Sequence, residues 1–343
     1  MWLYKTSEKL KPFSWLFAIL GVAVMALLPA IVTNKAYMTF TLSMICIYII
    51  VTAGLDILFG YSGQISLGQA GFYAVGAYVS AMLSLYTKIP VFFCIFIGAF
   101  VTSIIGGLFA YPASKLVHHF LSMTTIGFGE IARLVFLNGG KLTGGAVGLL
   151  NIPGLKIGPL DLSSKESFYY FILILAVIVL ILKRNLINSR IGRSFIAIRE
   201  NSDAGAAFGI NVPMTRTLAF MIASFLAGLG GACYAHLVRF ISPETFTFDQ
   251  SSKFLIMLLL GGKGSLTGCV LGVFIMTFGM EALQSFGRYQ MLIYGIILLV
   301  VLFIIPMGIT GKLNDYLEKQ KEKIKAGEAG ISAEGSARGG DGA

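Results

Sequence analysis

Long apolar runs separated by short basic segments limit how this sequence can fold more than any other feature. A transmembrane helix needs about 20 mostly apolar residues, and about ten runs approach that length. Of the 343 residues, 56% are hydrophobic and 12% are charged, whereas roughly a quarter of a soluble domain is charged. The sequence therefore predicts an all-α, polytopic transmembrane helical bundle. Its predicted spans are 14–32, 38–59, 65–86, 91–114, 120–138, 168–183, 216–238, 251–262, 268–286 and 289–307.

The distribution of Lys and Arg predicts the orientation of this bundle. If the N-terminus is cytoplasmic, most basic residues fall on the cytoplasmic side, which supports an even number of spans and a cytoplasmic C-terminus. The chain then divides into a cytoplasmic segment, a transmembrane domain and a cytoplasmic tail that we expect to be partly disordered. These are residues 1–13, 14–310 (with an external loop at 139–167 and a cytoplasmic loop at 184–215) and 311–343.

The net charge of +10 could indicate nucleic-acid binding. The basic residues, however, lie between apolar runs and form no patch interleaved with aromatic residues, so we expect a lipid environment and no nucleic-acid partner. The four cysteines lie inside apolar runs without the spacing of a metal site or a disulfide, which predicts ordinary packing. They are Cys46, Cys94, Cys233 and Cys269.

A glycine-rich break follows the second predicted span. Gly60 and Gly63 can interrupt a helix, and the polar residues Ser66 and Gln69 lie near the membrane boundary. Two interpretations are compatible with this pattern: a broken helix that lines a polar path, or close helix packing through small residues.

A second glycine-rich break lies at Gly261, Gly262 and Gly264. It lacks the spacing of a phosphate-binding loop, so the sequence does not support ATP hydrolysis by this chain, and it predicts no catalytic residue, cofactor or metal site. Two interrupted segments, one in each half of a chain, are typical of transport proteins built from repeats, which makes an inverted repeat possible here.

The basic loop 191–210 combines apolar and charged residues. Residues 203–208 are compatible with a helix, and Gly209 suits the position that follows its C-terminus. Such an element could dock into a groove of a cytoplasmic partner, or it could rest on lipid headgroups as an amphipathic connector. The candidate docking residues are Arg193, Arg199, Glu200, Asp203, Ala204, Phe208 and Gly209.

Charged residues within the spans are sparse. Glu130 and Arg133 are spaced to pair on one helix face, which favours a structural ion pair over a proton relay. Asp56 is expected to face the bundle interior, and His236 to lie at the interface. A hypothetical solute path runs along Ser66, Gln69, Thr124 and Thr125.

Several ordered blocks resemble the branched-chain amino acid ABC transporter permeases, particularly the LivM type. The resemblance covers roughly residues 38–310. The blocks are YSGQISLGQAGFYAVGAY, TIGFGEIAR, LTGG, IGRSFIAIREN, SFLAGLGGACYA, SPETFTFDQS and LGGKGSLTGCVLG.

This resemblance implies a permease subunit, not itself an enzyme, in the inner membrane of a bacterial cell. It would import Leu, Ile or Val together with a homologous second permease, an extracytoplasmic solute-binding protein and two cytoplasmic subunits that bind ATP and Mg. The loop 191–210 would be the coupling helix. Related permeases carry urea or short amides, so these remain alternatives. An ion-coupled secondary transporter is a further alternative, although it should carry functional carboxylates deep in its spans.

Overall fold

A computed structural model describes residues 25–26, 35–113, 118–157, 160–282, 295, 308 and 310–311 of the chain. These ranges are helical apart from loops and one antiparallel hairpin, Lys156–Ile157 with Leu160–Asp161, which agrees with the predicted all-α class. The predicted spans 14–32 and 289–307, the N-terminal segment 1–13 and the tail 311–343 lie almost entirely outside the described residues.

Ten α-helices are described within these ranges, and a six-residue π-helical turn, Asp56–Tyr61, extends the first of them. A short 3₁₀ turn lies at Pro243–Phe246. The α-helices are α1 (Lys35–Leu55), α2 (Gln69–Tyr86), α3 (Val91–Ala113), α4 (His118–Asn138), α5 (Lys165–Asn188), α6 (Arg190–Glu200), α7 (Ser202–Ala207), α8 (Val212–Val238), α9 (Phe248–Gly261) and α10 (Leu266–Ala282).

Helix α8 forms the centre of the bundle and packs against α1, α2 and α3. Its residues 226–233 are small or apolar and are buried on every side. A helix that is apolar all round is typical of a buried position, so the sequence of α8 explains its place.

Four helical segments are long and apolar enough to cross a membrane: 36–61, 91–112, 165–188 and 212–238. Each contains most of one predicted span. The chain is therefore a membrane protein with an all-helical bundle. The four cysteines are free and buried, as their sequence context predicts.

Loops that were predicted to share a side of the membrane share an end of the bundle. At one end, the Tyr86 hydroxyl donates to the Lys141 carbonyl over 3.0 Å, and Leu149 pairs with Ile241. At the other end, the chain near Gly60 meets the loop after α9 and helix α6. Successive loops lie at alternate ends of the bundle because each span crosses it once.

One predicted boundary is wrong, and one segment contains more helix than predicted. The span predicted to begin at residue 65 begins as helix α2 at Gln69, because the chain turns through residues 62–68. The segment 184–215, predicted to be a loop with one short helical element, is mostly helical. Capping side chains at Ser189 and Asn201 explain this, since each satisfies backbone amides at the start of a new helix.

Candidate functional site

The two glycine breaks, far apart in sequence, meet at one end of the bundle. The backbone amide of Gly264 donates to Oδ1 of Asp56 over 2.6 Å. The Tyr61 hydroxyl donates to the Gly264 carbonyl over 2.8 Å. We call the two segments 56–64 and 261–265 together the glycine junction.

An ion pair lies inside this junction. Nζ of Lys183, in the penultimate turn of α5, is 2.8 Å from Oδ2 of Asp56, and both side chains are fully buried. Removal of one partner from a buried pair typically costs about 3–5 kcal/mol, because the other charge is left without compensation. Asp56 faces the interior as predicted, and Lys183 is the last residue of the predicted span 168–183.

Gly60 allows the junction to close. A Cβ at this position would lie 2.1 Å from Oδ1 of Asp56 and 2.6 Å from the Gly264 amide nitrogen. No other residue type fits there without displacing backbone. At the second break, Gly261 ends α9, while Gly262 and Gly264 turn the chain towards α10 with positive φ angles of 112° and 74°.

Helices α6 and α7 project from this end as a capped helical pair. The Ser189 side chain accepts from the Gly192 amide, and the Asn201 side chain accepts from the amides of Asp203 and Ala204. Gly209 ends the pair at a φ of +83°, which confirms its predicted place after a helix C-terminus. Its amide bonds to the Ala206 carbonyl, the pattern of a glycine-terminated helix.

Arg199 connects this helical pair to the glycine junction. One guanidinium nitrogen donates to the Gly60 carbonyl over 2.7 Å, while Nε donates to Glu200 over 3.1 Å. Gly63, at a φ of +73°, lies against the Arg199 side chain: a Cβ there would be 3.0 Å from Cγ. The predicted docking residue Arg199 is thus also an attachment point within the chain.

The face of α6 and α7 away from the bundle is open. Phe195 and Ile198 are buried and hold α6 against the other helices, while Phe208 is 88% exposed. A groove of about 510 Å³ lies between α6 and α7. It is lined by Arg190, Arg193, Ser194, Ala197, Glu200, Asn201, Ala204, Gly205, Phe208 and Ile210. A groove with an exposed aromatic edge and charged walls can receive a protein partner.

The structure places the residues of the hypothetical solute path in two different environments. Ser66, Gln69 and Thr125 are buried against neighbouring helices, at 2% exposure or less. The Thr125 hydroxyl accepts from the Leu67 amide over 3.1 Å. Thr124, in contrast, lies on the exposed face of α4. In this conformation Ser66, Gln69 and Thr125 are closely packed, and Thr124 is the one residue of the four that is accessible.

Helix α4 also carries a charge cluster. Arg133 lies 2.6 Å from Glu130 and 3.2 Å from Glu244 of the 3₁₀ turn. The two glutamates are half or more exposed. The spacing of Glu130 and Arg133 predicted their pairing, but nothing in the sequence indicated the contact with Glu244.

His236 corrects one prediction. It was expected at the membrane interface, but it is 2% exposed. Its ring nitrogens lie 2.9 Å from the Ser80 hydroxyl and 2.8 Å from the Pro153 carbonyl oxygen. These two partners satisfy the ring, so burial is favourable.

Lys183 and Tyr61 are the site residues that sequence reasoning missed. An aspartate in an otherwise apolar span must find a partner, and Lys183 ends a span on the same predicted side. That signal could have identified the pair. No comparable signal identifies the contact of Tyr61.

Comparison with known proteins agrees with the resemblance seen in the sequence. The family described as "Branched-chain amino acid transport system / permease component" matches residues 37–302. The chain is 31% identical to the high-affinity branched-chain amino acid transport system permease protein LivM of Salmonella typhimurium, over 92% of this chain and 77% of that protein. It is 24% identical to the probable LivM of Methanocaldococcus jannaschii, over 81% of this chain and 94% of that one.

The autoinducer 2 import system permease protein LsrC of an Enterobacter species is also similar. The identity is 27%, over 93% of this chain and 91% of that protein. No solved structure matches the chain.

Proposed function

Because the chain belongs to the family of permease components of branched-chain amino acid transport systems, we propose that it is the membrane subunit of an ATP-driven importer of Leu, Ile and Val. It contributes no catalytic residue and no cofactor. ATP and Mg are bound by two cytoplasmic partner subunits. An extracytoplasmic solute-binding protein delivers the amino acid.

The element formed by α6 and α7 is the structural feature that best supports this proposal. It presents an open groove and the exposed ring of Phe208, and Arg199 attaches it to the glycine junction. A docked partner that moved this element would therefore act on the membrane helices. The docking residues on it are Arg193, Arg199, Glu200, Asp203, Ala204, Phe208 and Gly209.

The proposed arrangement has ten spans within residues 14–310, with 1–13 and the tail 311–343 in the cytoplasm of a bacterium and the chain in its inner membrane. The end that bears α6 and α7 is rich in arginine, including Arg184, Arg190 and Arg193. Basic residues concentrate on the cytoplasmic side of membrane proteins, which supports this orientation.

A homologous second permease covers the exposed face of α4 in this proposal. The face combines apolar residues such as Met123 and Ile131 with Glu130, which pairs with Arg133 at the edge of the face. Hydrocarbon would solvate these charges poorly, whereas a protein partner or a solvated path between two subunits would accommodate them. Thr124 and its exposed neighbours would then face the solute path, while Ser66, Gln69 and Thr125 would shape it from behind.

A different small solute is the second candidate, because the similarity to an autoinducer 2 permease also covers most of the chain. Urea and short amides belong to the same alternative. The higher identity to LivM favours branched-chain amino acids. An ion-coupled mechanism receives less support, since Asp56 and Glu130 are both held in ion pairs.

Reconstitution tests the proposal. The chain is placed in liposomes with its second permease, its two ATP-binding subunits and its binding protein, and uptake of labelled leucine is measured. We expect uptake that requires ATP and is inhibited by isoleucine and valine but not by urea or autoinducer 2. Uptake driven by an ion gradient without ATP would contradict the proposal, and inhibition by urea or autoinducer 2 alone would replace the substrate.

A further inference from the structure

Asp56 lies where three segments of the chain meet. Its Oδ2 binds Lys183 of α5, and its Oδ1 accepts from the Gly264 amide in the loop between α9 and α10. Asp56 itself begins the π-helical turn that extends α1. Single π-helical turns are rare and are often found at functional positions.

Helices α5 and α6 are attached to this turn at two points. Lys183 binds Asp56 at the start of the turn, and Arg199 binds the Gly60 carbonyl near its end. A single residue, Ser189, separates α5 from α6. Two directional contacts at separate points transmit a rotation, whereas one contact acts as a pivot.

The π-helical turn also contacts the second glycine break. The Tyr61 hydroxyl adds a bond to the Gly264 carbonyl beside the bond between Asp56 and the Gly264 amide. The loop 262–265 connects α9 to α10. A movement of α6 therefore reaches α1 directly and reaches α9 and α10 through polar contacts of fixed geometry.

We propose that Asp56 and Lys183 are positioning residues that carry the movement of α6 and α7 to helices α1, α9 and α10 during transport. The inference rests on the proposed function, because it assumes that partner ATPases move α6 and α7. It adds the route by which that movement reaches the membrane helices. Both side chains of this pair are fully buried, whereas Arg199 is partly exposed.

A purely structural pair would behave differently on replacement. Exchange of both charges for apolar residues of similar size is often neutral for stability, because no uncompensated charge is left. The double variant Asp56→Asn with Lys183→Met therefore separates the two roles, because it removes both charges while the side-chain oxygen of asparagine can still accept from the Gly264 amide. A structural pair predicts normal transport in this variant, whereas a transmitting pair predicts ATP hydrolysis with little transport.

The experiment measures leucine uptake per ATP hydrolysed in the reconstituted complex. We expect the double variant to lower this ratio roughly fivefold or more, the lower end of typical coupling between sites. The conservative variant Lys183→Arg, which keeps the charge, should retain most of the ratio. A ratio equal to that of the wild type in the double variant overturns the inference.

A second variant covers the case in which the double variant does not assemble. Tyr61→Phe removes one hydroxyl at a partly buried position and keeps the aromatic ring in place. It should lower the ratio as well, and an unchanged ratio would count against transmission through the junction. If the wild-type complex hydrolyses ATP but takes up no leucine, the proposed function fails instead, so the two failures are distinguishable.

Discussion

The guanidinium of Arg199 donates a hydrogen bond to the Gly60 carbonyl oxygen over 2.7 Å, and so ties the exposed element α6–α7 to the end of α1. The rest of the Arg199 side chain lies on Gly63 and reaches Glu200. One residue therefore belongs both to the proposed docking surface and to the packed junction. This double position makes it a sensitive test of coupling.

Arg199→Ala should lower ATP-dependent leucine uptake more than it lowers ATP hydrolysis. A hydrogen bond from a charged group contributes about 1.5–3 kcal/mol, and because Arg199 is partly exposed the lower end applies, which corresponds to roughly tenfold. Uptake and phosphate release in the same liposomes measure the effect. Arg184→Ala is the matched control, since Arg184 is exposed at the same end of the bundle and is not among the docking residues. Equal losses of uptake in both variants would exclude a special role for Arg199.

Gly60→Ala should destabilise the protein by about 1–3 kcal/mol, the usual cost of overpacking. The added methyl group would lie 2.1 Å from Oδ1 of Asp56 and 2.6 Å from the Gly264 amide. Thermal unfolding in detergent measures the loss. Gly127→Ala is the control, because a Cβ at Gly127 meets nothing within 4 Å. A Gly60 variant as stable as the Gly127 variant would show that the junction is looser than described.

The sequence was sufficient to predict the long apolar helices but not their contacts. Apolar runs of membrane length predicted α1, α3, α5 and α8, because burial in hydrocarbon depends on local composition. The glycine breaks were also visible. Their meeting was not, since Asp56 and Gly264 are 208 residues apart and Asp56 and Lys183 are 127 apart.

Such pairings depend on how the helices pack, and packing is not encoded in any local pattern. Lys183 illustrates the difficulty: at the end of an apolar run, a lysine usually extends to the interface. Here Lys183 is instead buried, because it pairs with the fully buried carboxylate of Asp56. Positive φ at Gly209, in contrast, follows from local chemistry and was predictable.

Gly209→Pro should abolish coupling while the subunit still reaches the membrane. Proline cannot adopt the φ of +83° and lacks the amide that bonds to the Ala206 carbonyl, so the end of α7 would rearrange. Gly209→Asn is the control, because asparagine tolerates this conformation. Uptake and ATP hydrolysis are measured for both. Full uptake by the proline variant would exclude α7 from the docking element.

Thr125 and Thr124 are neighbours with opposite environments, which allows a matched test of the solute path. Thr125→Val leaves the Leu67 amide without its acceptor and should cost about 1–3 kcal/mol of stability. Thr124→Trp, on the exposed face of α4, should leave the fold intact and reduce uptake severalfold if the path lies there. Thermal unfolding and uptake assays separate the two effects. Normal uptake by the Thr124 variant would remove α4 from the path.

Phe208→Ala should weaken binding of the ATP-binding subunits without changing the stability of the isolated chain. The ring is 88% exposed at the edge of the groove, and an aromatic side chain that acts as a hot spot of an interface contributes about 2 kcal/mol or more, roughly thirtyfold in affinity. The ring of Phe195 is fully buried and takes no part in docking, so Phe195→Ala should instead destabilise the chain by about 3–5 kcal/mol. Affinity of the purified ATP-binding subunits for the chain in nanodiscs and thermal unfolding measure the two quantities. Because the two phenylalanines lie in the same helical pair, unchanged affinity in the Phe208 variant would place the docking surface elsewhere on this end of the bundle.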